Sequence, residues 1–156
     1  MVQHVIEQLD KIRKNNGFLT IEEILRLQQR DNVLLDPFSL LIGRGVSIGE
    51  KNIFYPNVVL ENKGGKVSVE DGNTFFPNTF ILVEEGTINI GNGNQFGDGG
   101  CSIKVNGQTS HIIIGDQGRY INNPLIIGNS ILGSGSQVIG NITVQNCRLA
   151  AGEDYK

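Results

Sequence analysis

The sequence predicts an all-β solenoid, a parallel β-helix of about five coils behind short N-terminal α-helices. Three observations carry this. Apolar residues return every six positions through most of the chain. All but one of the 21 glycines lie beyond residue 36, where only Gly17 precedes them. The hydrophobic content, 38% with no tryptophan, is low for a globule packed around one bulky core.

The period is clearest when segments beginning at 46, 67, 88 and 112 are stacked. The leading apolar column reads Ile48, Val69, Ile90, Ile114, Leu132 and Ala150, at spacings of 21, 21, 24, 18 and 18. Six residues after each lead comes a second column, Phe54, Phe75, Phe96, Tyr120 and Val138. A third follows six later, Leu60, Ile81, Ser102, Ile126 and Val144. The unit is a hexad, and three hexads make one turn of a triangular prism. Each hexad is a short strand and a tight corner, with one side chain per strand pointing inward. Neighbouring coils pair as parallel strands about 4.8 Å apart. Corners need residues that tolerate positive φ, and nine residues after each lead stand Asn57, Asn78, Gly99, Asn123 and Asn141. Phe54, Phe75, Phe96 and Tyr120 are expected to stack inside. Residues beyond the hexads all fall after the third column, at 62–66, 83–87 and 104–111, and are read as loops stacked into one ridge.

The N-terminal residues read differently. Val2, Val5, Leu9 and Ile12 are spaced for one side of an amphipathic helix that "NNG" ends. Thr20 with Glu23 three residues on forms a capping box for a second helix with Ile21, Ile24, Leu25 and Leu27 on its apolar side. Asp36–Pro37 is expected to end the helical region. The organisation is therefore a helical cap over residues 1–36 and a β-helix over 37–156. The cap is expected to cover the first coil. At the other end no helix follows "AAGEDYK", so either the last coil packs on another subunit or the natural chain continues past Lys156.

"IGEKNI", "IGNGNQ" and "IGDQGR", with "VIGNIT" in the same frame, resemble the hexapeptide-repeat superfamily over about residues 46–151. That resemblance implies a left-handed parallel β-helix and a homo-trimer. It also implies three functional classes. These are acyltransferases with a histidine base and an acyl-CoA donor lying along the prism, gamma-class carbonic anhydrases with three zinc-binding histidines, and non-catalytic prisms that bind partners.

Two histidines are available. His4 lies on the first helix and reads as a surface residue. His111 ends the largest insert, which makes it the general-base candidate by position, against the alternative of a partly exposed histidine leading into a strand. Asp116 is expected to point elsewhere. One prism histidine does not supply a three-histidine zinc site, so no metal is expected. Lys63, Lys66 and Lys104 lie on the ridge and are candidates for the phosphates of coenzyme A, with Glu84 and Glu85 opposing them. "GNGNQFGDGG" has no helix after it, so its glycines read as corners and Asp98 as a corner hydrogen bond. Cys101 and Cys147 lie two coils apart, too far for a bridge.

A net charge of −3 and a pI near 5.3 argue against a nucleic-acid surface or an anionic-membrane binder. No apolar run approaches a bilayer span, and the N-terminus lacks the apolar stretch of a signal peptide. The expectation is a cytoplasmic protein that acts as an acyltransferase or as a non-catalytic scaffold.

Overall fold

The computed structural model describes residues 2–155. It is a parallel β-solenoid of about six turns with two short helices near the N-terminus. Each turn has three faces. Strands of the first face stack in chain order: Val33–Leu34, Ile53–Phe54, Thr74–Phe75, Gln95–Phe96, Arg119–Ile121, Gln137–Ile139 and Asp154–Tyr155. The second face holds Leu41–Ile42, Val59–Asn62, Leu125–Ile127 and Thr143–Gln145, and the third holds Val46–Ile48, Lys66–Val69, Ser130–Leu132 and Arg148–Leu149. Two long strands, Thr79–Ile90 and Cys101–Ile114, run across both the second and third faces.

The inward columns fill the prism. Phe54, Phe75, Phe96 and Tyr120 are at most 1% exposed, and their rings stack with centroids 5.0, 5.2 and 5.4 Å apart. The corner residues Asn57, Asn78, Gly99 and Asn123 all take positive φ, between 61° and 86°. In the last of these corners Gly140, not Asn141, has the positive φ.

Two columns slip by one residue. Ile103, not Ser102, points inward: it pairs with Ile81 and Ile126, while Ser102 faces out. Gly99 and Gly100, at φ +86° and +91°, absorb the extra residue in that corner because neither carries a Cβ. At the C-terminal end Leu149 pairs with Leu132 and is buried, and Ala150 is exposed. The corner before it, turned by Asn146 at φ 49°, is one residue shorter than the hexad rule.

The helices span Val2–Asn15 and Ile21–Arg26, followed by a 3₁₀ turn at Leu27–Arg30 that Asp31 closes in the left-handed region. The helical run thus stops before Asp36–Pro37. Val33–Leu34 already pairs with Ile53–Phe54, which adds a coil ahead of Ile48 and brings the count to about six rather than five. The capping box forms, with Thr20 Oγ1 accepting from the Glu23 N–H and Glu23 Oε1 accepting from the Thr20 N–H. Ile24 joins the core beside Leu40 and Ile42.

The first helix does not bury its apolar side: Val2, Val5 and Ile12 are 77%, 54% and 60% exposed. Its anchor is Arg13, which is buried and donates to the carbonyls of Leu19, Pro37, Phe38 and Leu40. Burial pulls that guanidinium's pKa down, and nearby Asp10 pushes it back up. Among the described residues no helix is long and apolar enough to cross a membrane.

Candidate functional site

The inserts between the second and third faces are the largest departure of the described coils from a plain triangle. They stack, but the second and third are continuous strand rather than loops, while the first keeps a bend at 63–65 between two strands. Asn62 pairs with Val83 and Val83 with Val105; Lys66 pairs with Thr87 and Thr87 with His111. Val83 and Val105 turn inward and fill the widened corner, both at most 1% exposed. An apolar residue two positions beyond Ile81 and Ile103 was the signal for this, since a strand that continues keeps its period of two.

Glycines let the stacked backbones approach. A Cβ on Gly65 would meet the Gly86 carbonyl and the Val83 side chain, and one on Gly86 would meet the Ser110 carbonyl. Two asparagines bound the ridge. At one end Asn62 Nδ2 donates to the Gly65 carbonyl. Its Oδ1 is the buried side-chain polar atom without a partner among the described residues. At the other end Asn129 Oδ1 accepts the His111 N–H at 3.0 Å, in the place of a further strand.

Over the first two inserts lies an open concavity of about 670 Å³. Lys63 and Lys66 come from one coil, Glu84, Glu85 and Thr87 from the next, and Gln108 from the third. Two of the three lysines expected on the ridge are therefore together. Lys104 is not with them: it faces outward on the second face, its Nζ 5.7 Å from the centroid of the Phe80 ring. His111 is half-buried on the third face, in register with Thr87 of the concavity wall. His4 is exposed on the first helix.

Asp116 turns away from His111, accepting from the Asn92 N–H at 2.7 Å. It belongs to a run of corner bonds in which Asp71 accepts from Glu50, Asn92 from Asp71, and Ser134 from Asp116. Asp98 is exposed at its corner, where its carbonyl, rather than its carboxylate, accepts from the Asn122 N–H.

Both cysteines are free. Cys101 is fully buried, and burial pushes its thiol up to about 12; Cys147 is raised too, by burial and then by Glu153. Among the described residues no three His, Cys, Asp or Glu side chains gather as a metal site.

The columns above did not include a buried asparagine ladder four residues after the leads. Asn52, Asn73 and Asn94 are fully buried, and each Oδ1 accepts the backbone N–H one coil on, from Asn73, Asn94 and Gly118. Each Nδ2 donates to a corner carbonyl, of Glu70, Gly91 and Gly115 respectively. The ladder ends at Gly118, where a Cβ would run into the Tyr120 hydroxyl. That hydroxyl fills the space and bonds Ser136 Oγ at 2.9 Å. Its pKa is pushed up to about 12, by burial first.

No protein-family model matches the chain, and no curated protein matches it.

Proposed function

We propose that this chain is a left-handed hexapeptide-repeat protein of acyltransferase-like type, binding an acyl-CoA donor along the insert corner. What supports the reading is that Lys63 and Lys66 share one concavity whose wall residue Thr87 pairs directly with His111. The two ammonium groups meet the donor's phosphates as point charges. His111 takes the proton from an acceptor hydroxyl or amine as that atom attacks the thioester carbonyl. It then returns the proton to the leaving thiolate, so the coenzyme departs as its thiol.

Calorimetry with coenzyme A tests the binding step. Binding that Lys63→Ala and Lys66→Ala each weaken is expected, and His111→Ala should abolish transfer while leaving binding intact. No heat at millimolar coenzyme A would end this reading.

A second reading, a non-catalytic scaffold, is favoured by the exposed apolar groups of the helical end, Val2, Val5 and Ile12 on the first helix and Leu35 and Phe38 beside the first coil. A transfer activity that disappears with His111→Ala would exclude it.

A further inference from the structure

The second face carries apolar side chains outward as well as inward. Outward residues alternate with the buried column, so two rows cross the coils. One row reads Leu41, Val59, Phe80, Ser102 and Leu125, consecutive partners in register. The other reads Glu61, Leu82, Lys104 and Ile127. The other faces mix the two kinds outside: the third carries Ser47, Ser68 and Asn89 and then Ile113 and Ile131, and the first carries Val33 and Ile53 and then Gln95, Arg119 and Gln137.

The charges in the second row are placed symmetrically. Glu61 lies one coil before Leu82 and Lys104 one coil after it. We propose that this face is a docking surface for a second copy of the chain, related by a two-fold axis lying in the face along strand segment 79–83. Such an axis keeps each row opposite itself and reverses the order of coils. Phe80 and Leu82 then meet their own counterparts, and Leu41 meets Leu125. Glu61 meets Lys104 of the other copy twice, once on each side of the axis. The same axis moved one coil either way sets Glu61 against Glu61 or Lys104 against Lys104, with like charges opposed. The charge pattern therefore selects the central strand. Lys104 already leans over Phe80, which keeps its ammonium on the face that is to be covered. A prism face this narrow is at the small end of stable interfaces, so a concentration-dependent dimer is expected. The inference is independent of the acyl-donor site, which lies around the corner at Lys63 and Lys66.

Sedimentation equilibrium from micromolar to millimolar protein tests it. The wild type should fit a monomer–dimer equilibrium. Glu61→Lys alone, or Lys104→Glu alone, sets like charges against each other at both positions and should raise the dissociation constant by about tenfold or more. The double variant Glu61→Lys/Lys104→Glu restores opposite charges and should restore the dimer. These side chains face outward, and an unchanged circular dichroism spectrum verifies that each variant is folded. A monomer throughout, a trimer, single reversals without effect, or a double variant that stays monomeric would each overturn the proposal.

Discussion

Replacing Asn73 by leucine keeps roughly the same bulk and removes every bond of that side chain. Asn73 donates to the Gly91 carbonyl at 2.9 Å and accepts from the Asn94 N–H at 2.9 Å, all inside the prism. Asn52 Oδ1 keeps a partner in the Asn73 backbone N–H. Two backbone groups, the half-buried Gly91 carbonyl and the buried Asn94 N–H, lose these partners. At about 1–3 kcal/mol for each group stranded without water, the loss is about 4 kcal/mol. For a chain of this length that lowers the melting midpoint by roughly 8–16 °C. Thermal and urea denaturation followed by circular dichroism measure it. Asn92→Leu is the control, because the Asp71 N–H that it serves is exposed and water replaces the bond. If Asn73→Leu costs less than about 1 kcal/mol, or no more than Asn92→Leu, the ladder is not what holds these corners.

Three further outcomes follow from the same geometry. Tyr120→Phe strands the buried Ser136 hydroxyl and should cost about 1–2 kcal/mol; adding Ser136→Ala should recover part of it, a coupling that a double-mutant cycle reads directly. Gly86→Ala forces a Cβ onto the Ser110 carbonyl at φ +105° and should destabilise by about 3 kcal/mol in urea titration, disturbing the Lys63–Lys66 concavity with it. Glu23 is held down from 4.5 to about 2, first by its hydrogen bonds from Arg44 and then by the Thr20 N–H. Because its folded value is the lower one, its contribution is complete above pH 4.5 and is lost as pH falls toward about 2. The gap in melting temperature between wild type and Glu23→Gln should therefore close across that window.

Much of the fold is legible because one residue per strand must be apolar and one per corner must tolerate positive φ. Phe54 to Tyr120 and Asn57 to Asn123 obey those two demands coil after coil. What periodicity misses has local causes. Two successive positive-φ glycines at Gly99 and Gly100 hide an extra residue, so counting sixes lands on Ser102 beside the true inward Ile103. A shortened corner displaces Leu149 from Ala150 in the same way. The first coil is masked because Val33–Leu34 is only two residues long and follows directly on the helical turn.

At the site, the lysines' shared corner is legible from the position of the inserts, but Lys104 is not. Inside a continuing strand its side chain goes out from the second face, whereas the same residue in a loop would have joined the ridge. The asparagine ladder was present as a column at Asn52, Asn73 and Asn94. It reads as corner chemistry until burial shows that its amides point inward.

The two asparagines that bound the insert ridge set a rule for how such a chain changes length. Along this ridge a coil lengthens its strands where its neighbour lengthens with it, because each insert's backbone is received by the one beneath. Asn129 shows how the series is closed, a single amide side chain standing in for a missing strand under His111. A ridge of this kind is therefore gained or lost from its edges, one coil at a time, and a deletion in its middle coil damages both flanking coils more than its own.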